Sequence, residues 1–182
     1  MSKIIEAHWE DWDGQGRQHV VLKESGERVL AEGSIRVSGD APFSAEFVVE
    51  CDAAWRVRRA EIALAGAPPM HLTADGQGNW FDGEGQPLPD LRGAIDIDLS
   101  ASPFTNTLPI RRCALAVGDS LDITTAYIAF PELSLATDPQ RYTRIDLRRY
   151  RYDSRDSDFT RDIEVDDAGL VVNYPGLFRR LS

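Results

Sequence analysis

Cysteine and histidine are scarce in this 182-residue chain, which has Cys51 and Cys113, and His8, His19 and His71. The cysteines stand far apart, with no CxxC pair and no histidine beside them, and the histidines are scattered singly along the sequence. A zinc centre needs about four nitrogen or sulfur ligands at close spacing. No metal and no cofactor are therefore expected. Residues Met1 to Asp11 contain neither the basic start nor the apolar core of a secretory signal, so the expected location is cytoplasmic and both thiols are expected reduced. Nowhere do about 18 apolar residues run together, so no transmembrane segment is expected. Positive charge is also short. Lys plus Arg total 20 against 30 for Asp plus Glu, a net charge of −10, which argues against nucleic acid or an anionic membrane as partner.

A sustained 3.6-residue apolar stripe is missing too, and periodicity of two stands in its place. Phe43, Ala45, Phe47, Val49 and Cys51 share one face of their segment. Ile95, Ile97 and Leu99 point inward, with Asp96, Asp98 and Ser100 outward. Ile163 and Val165 alternate with Asp162, Glu164 and Asp166 in the same way. Such half-buried strands imply antiparallel pairing with one wetter face. Further strands are expected at 18–23, 28–37, 55–64, 122–130, 142–152 and 169–174. At most a short helix fits near Asn106–Cys113. The fold class is mainly all-β.

Two segments break parity midway. From Trp55 and Val57 the apolar set moves to Ala60, Ile62 and Leu64, and within 142–152 it moves from Ile145 and Leu147 to Tyr150 and Tyr152. A β-bulge or bend produces such a switch and curls a sheet. The expectation is a single strongly curved antiparallel sheet, a spiral β-roll or open half-barrel. Turn chemistry at Ser25-Gly26, Asp75-Gly76, Asp82-Gly83 and Asp166–Gly169 joins the strands at short, even spacing. With no linker and no repeat, residues 1–182 read as one domain. The Asp11–Gly14 and Asp75–Asn79 segments resemble calcium loops only superficially, because Leu22 and Gln86 stand where an EF-hand needs glutamate.

Chemistry-bearing residues are densest in 93–112. Asp96 and Asp98 share a strand face, with Cβ atoms roughly 7 Å apart by strand rise. A Thr105-Asn106-Thr107 turn between two prolines follows, then Arg111-Arg112. Carboxylates, amide, hydroxyls and guanidinium together suit a polyhydroxylated or phosphorylated head group. The structural alternative is a solvated strand face neutralised by the arginine pair. The Tyr142–Arg155 segment interleaves aromatics and arginines, but Asp146 and Asp153 sit among them, and cross-strand charge pairing accounts for that pattern. No nucleophile with a neighbouring histidine is present, so an enzyme is the lesser expectation.

Several stretches together carry a family resemblance. They are Gly78-Asn79-Trp80-Phe81-Asp82-Gly83, Leu91-Arg92-Gly93 through Asp96-Ile97-Asp98-Leu99, the run Ser102-Pro103-Phe104-Thr105-Asn106-Thr107-Leu108-Pro109-Ile110-Arg111-Arg112, Tyr150-Arg151-Tyr152, and Gly169 to Arg180. In these the chain resembles the bacterial family described as "putative glycolipid-binding", formerly a domain of unknown function. The resemblance implies a spiral β-roll, similar in shape to lipoprotein-carrier domains that hold acyl chains in a half-barrel, and it brings no catalytic residues.

Residues and resemblance together suggest non-catalytic binding of an amphiphile, with a glycolipid as the expected ligand, on the concave sheet face. The candidate ligand-binding residues are Asp96, Asp98, Asn106, Arg111 and Arg112 for the head group. Trp80, Tyr127 and Tyr150 are the aromatics for stacking on a sugar. The alternatives are an enzyme on small sugar or lipid substrates using Asp96 with Arg111, or an interaction scaffold that docks partners on its strand edges. Nothing in the sequence fixes an oligomeric state.

Overall fold

The alternating segments fold as strands that pair with their sequence neighbours within two runs, in a computed structural model that describes residues 3–182. A meander runs through β1 (Lys3–Asp11), β2 (Gly16–Glu24), β3 (Arg28–Val37), β4 (Phe43–Asp52), β5 (Val57–Leu64), β6 (Met70–Ala74) and the short β7 (Trp80–Phe81). The chain then leaves the meander through a 3₁₀ turn (Pro89–Leu91), β8 (Asp96–Leu99), a second 3₁₀ turn (Pro103–Asn106) and the helix α1 (Thr107–Cys113). A second meander follows: β9 (Ser120–Ala129), β10 (Ser134–Arg144), β11 (Arg149–Ser154), β12 (Thr160–Val165), β13 (Val171–Tyr174) and β14 (Phe178–Arg180). Because β14 pairs with β1, both meanders join in one 14-stranded sheet whose end strands are β7 and β8. The sheet is curved and open, with a single short helix, as the alternation predicted.

The connection between the meanders fills much of the concave side. Leu91, Ile97, Leu99, Phe104 and Leu108 are at most 1% exposed and pack with Val20, Leu22, Ile35 and Ile62 from the first meander. Gly33 makes room for them. It pairs with Phe47 across the β3–β4 ladder, a Cβ at Gly33 would come within 2.2 Å of the Phe47 ring, and that ring stacks on Phe104 at 6.2 Å. Over β1–β7 the concave face is therefore filled by the chain's own side chains.

Other expectations change in detail. The parity break in β5 is a bulge: Glu50 faces Arg59 while Cys51 faces Val57, leaving Arg58 as the extra residue. The break in 142–152 is instead a hairpin, with β10 ending at Arg144 and β11 starting at Arg149. Strand β8 departs furthest from the antiparallel, half-wet pattern. It pairs parallel with β9, and Asp96 is buried although its parity put it outward. An arginine from α1 covers that face and supplies the countercharge. Finally, His8 and His19 are not isolated, since the β1–β2 register places them opposite each other. Cys51 and Cys113 are unpaired. Among the described residues no helix is long and apolar enough to cross a membrane.

Candidate functional site

Beyond the filled half, the concave side stays open toward one rim. The β1–β2 turn, the β13–β14 turn, the ends of β3 and β9 and the residues after β8 meet there. They enclose a mainly apolar groove of about 460 Å³ lined by Trp12, Val37, Phe43, Phe130, Leu177 and Phe178, with Asp11 and Asp13 also in its wall. Trp12 is 46% exposed and Leu177 38%, so the mouth of the groove presents large apolar side chains to solvent. Ser100, Leu177 and Phe178 also line a second cavity of about 240 Å³ that runs inward beneath the second meander. That is far more than the roughly 10–15 Å³ needed for one water.

The inner cavity has a polar floor and aromatic walls. Asp98 reaches it because β8 alternates, with Ile97 and Leu99 committed to the core on the opposite side. Gln140 donates from Nε2 to Oδ2 of Asp98 at 2.7 Å, and the Thr105 hydroxyl lies 3.0 Å from Oδ1. Burial, with Asp138 and Asp96 nearby, pushes the Asp98 carboxyl up to about 6, against the lowering effect of these two hydrogen bonds. Gln140 also donates to Asp138 at 2.7 Å, so one amide bridges two carboxylates. Asn106 donates to the Tyr142 hydroxyl at 2.8 Å. Ser102 is among the lining residues, and its hydroxyl is buried without a protein partner. A buried hydroxyl left unpaired costs free energy that a ligand polar group would recover.

Tyr152, Phe159, Tyr174 and Phe178 form the walls, each touching the next with ring centroids 5.9–6.5 Å apart in edge or tilted arrangements. Tyr127 completes the lining, and burial raises its hydroxyl above the ordinary tyrosine range. These rings come from four different strands and a loop. Tyr152 and Tyr174 are residues that sequence reasoning left out of the site. Tyr152 was detectable from its shared parity with Tyr150, whereas the inward turn of Tyr174 follows from the pairing of β13 with β14.

The structure gathers Asp98, Asn106 and Tyr127 at this cavity and sends the other candidates elsewhere. Asp96 is fully buried in a two-point pair with Arg112, whose Nη2 lies 2.6 Å from Oδ2 and whose Nε lies 3.0 Å from Oδ1. Arg111 points the other way, to Glu24 at 2.8 Å and over the Trp55 ring. Trp80 is 1% exposed and spends its indole N–H on the Ala94 carbonyl, so it presents no ring to a ligand. Tyr150 lies under Arg144 and lines a separate cavity of about 440 Å³ with Arg111 and Arg148. The aromatic and arginine-rich segment does show cross-strand charge pairing, in Arg151–Asp162, and Arg141 just before it pairs across to Asp122. The calcium-like segment at Asp75 is a turn, in which Oδ1 accepts the backbone N–H groups of Gln77 and Asn79.

A family model described as "Putative glycolipid-binding" matches residues 6–180 of the chain. The chain is also similar to a solved structure, the crystal structure of a DUF1089 family protein from Pseudomonas aeruginosa. The two share 38% sequence identity over 90% of this chain and 92% of the other, with a TM-score of 0.80. No curated protein matches.

Proposed function

The chain belongs to the family described as "Putative glycolipid-binding", and on that premise we propose that it binds an amphiphile with a hydroxylated, sugar-like head group at the open rim. The head enters the inner cavity, where Asp98, Ser102 and Asn106 offer hydrogen bonds and Tyr152 and Tyr174 offer ring faces and edges. The apolar tail lies along Trp12, Phe43, Phe130 and Leu177. One observation carries this reading: an aromatic cavity lined by the Asp98 carboxylate and by Ser102, whose hydroxyl is unpaired, shares Ser100, Leu177 and Phe178 with a mainly apolar groove. Sugars are recognised by that combination of flat apolar surface and a few fixed polar groups.

The role is binding without turnover. The catalytic alternative needed Asp96 beside Arg111, and those two side chains engage Arg112 and Glu24 instead. The scaffold alternative needs long free edges, and the end strands β7 and β8 are two and four residues long.

Calorimetry with octyl glucoside below its micellar concentration, compared with glucose and with 1-octanol, tests the reading. The glucoside should bind more tightly than either half-molecule, and Asp98→Asn should weaken it by about tenfold, the equivalent of one hydrogen bond to a charged group. Protein that takes up no octyl glucoside, and carries no amphiphile in native mass spectrometry, would overturn it.

A further inference from the structure

The convex face of the first meander holds a cluster that the rim site does not use. Because Ala7 and Trp9 face the core at 1% and 0% exposure, alternation turns Glu6 and His8 outward on β1. On β2, Val20 faces the core and His19 turns outward to stand directly opposite His8. The two imidazoles stack at 4.3 Å between centroids and 11° between planes. One ligand atom from each of Glu6, His8 and His19 falls within 4.8 Å of the others. Nε2 of His19 is buried without a hydrogen-bond partner, and the Glu6 carboxylate lies 3.9 Å from it.

We propose that Glu6, His8 and His19 bind a divalent first-row transition ion, of which zinc and nickel are the probes of choice. Two imidazoles and one carboxylate are a ligand set such ions favour. In a tetrahedral site with bonds of 2.0–2.1 Å the ligand atoms lie about 3.3 Å apart. Closing the observed spread to that value asks the two imidazoles to tilt out of their parallel stack so that one nitrogen of each turns toward the ion, and Glu6 and His19, with side chains 63% and 39% exposed, have room to move. The neighbouring cations are engaged by carboxylates, with Glu10 shared between Arg17 and Arg179. Arg17 is held by Glu10 at 2.7 Å, and Lys23 by Glu32 at 2.5 Å, on the same face. A protein with a net charge of −10 draws cations toward its surface. Three protein ligands leave a coordination position open to water or to an external donor. The ion would tie β1 to β2 where the chain's two ends meet. There, the His8 N–H donates to the Ser182 carbonyl and the Leu181 N–H donates to the His8 carbonyl.

The test is titration of the full chain, carrying no histidine tag, with zinc and separately with nickel in a non-chelating buffer, followed by calorimetry and thermal melting. One ion per chain should bind, and the melting temperature should rise with its concentration. His8→Ala and His19→Ala should each lower affinity by about tenfold or more, and Glu6→Gln by a few-fold. Metal-free melting temperatures show whether the variants fold, and His8→Gln with His19→Gln replaces any that do not. Absence of saturable one-to-one binding would overturn the proposal. So would binding that persists unchanged in the double histidine variant, which would point to another donor set such as His71 with Glu61, 3.3 Å apart.

Discussion

Over the first meander, β1–β7, the concave face meets Leu91, Ile97, Phe104 and Leu108, none more than 1% exposed. Over the second, β9–β14, the same surface meets tyrosines, Asp98, Gln140 and a cavity of about 240 Å³. One sheet thus has a dry, aliphatic half and a polar, aromatic half, and the connection that fills the first supplies Asp98, Ser102 and Asn106 to the second. A filled interior contributes stability by excluding water from apolar area. An interior with a half-buried carboxylate and an unpaired hydroxyl carries a free-energy cost that protein stability alone does not explain.

The largest effect expected is in the dry half. Phe104 is fully buried between the Phe47 ring and the aliphatic core. Phe104→Ala should lower unfolding free energy by about 3–5 kcal/mol, as deletion of a large core side chain does. Urea denaturation checks it. A loss below about 1 kcal/mol would mean that the connection does not pack as a core, and the contrast between the halves would fail.

The next effect has the opposite sign. In the folded chain the Asp98 carboxyl is raised to about 6 from 3.8, so between those values the folded state holds a proton that the unfolded state has released. Stability is then highest below the unfolded value and falls as pH rises through the folded one. At pH 7 the ionised Asp98 costs up to about 3 kcal/mol, since each tenfold change in its proton affinity is worth about 1.4 kcal/mol. Asp98→Asn should therefore raise the melting temperature at neutral pH and flatten its fall between about pH 4 and 6. The same change weakens head-group binding. A variant that loses stability at pH 7 would show that Asp98 supports the fold and is not held ionised at a cost.

How much of this contrast could be read from the sequence depended on what each kind of pattern reports. Alternation gave β3 its bounds of Arg28–Val37, placed Ala45, Phe47 and Val49 on the buried face of β4, and signalled the bulge at Arg58 through the shift to Ala60. The missing 3.6-residue stripe allowed only a short helix near Asn106–Cys113, and α1 spans Thr107–Cys113 with Pro109 in its first turn. Alternation reports which side chains share a face, not what covers that face. Asp96 and Asp98 have the same parity, yet α1 covers Asp96 with Arg112 while Asp98 opens to the cavity. The arginines behave likewise: adjacent positions on one helix diverge to Asp96 and Glu24. Gln140 had no local signal, since it meets Asp98 only through the order in which β8, β9 and β10 lie side by side.

The smallest effect separates the halves most sharply. Ser102 and Thr107 both bury a hydroxyl without a protein partner, but Ser102 lines the cavity while Thr107 is fully enclosed in the connection. Removing either oxygen takes away an unmet desolvation cost of about 1–3 kcal/mol and leaves some packing change in return. Ser102→Ala and Thr107→Val should thus leave stability unchanged or raise it by less than about 1 kcal/mol, measured by thermal melting under matched conditions. Their effects on octyl glucoside should diverge, with weaker binding by Ser102→Ala and no change for Thr107→Val. Equal loss in both variants would show that the connection acts on the ligand as one packed unit. Loss in Ser102→Ala alone would locate recognition at the cavity floor, where the dry half of the roll gives way to the open one.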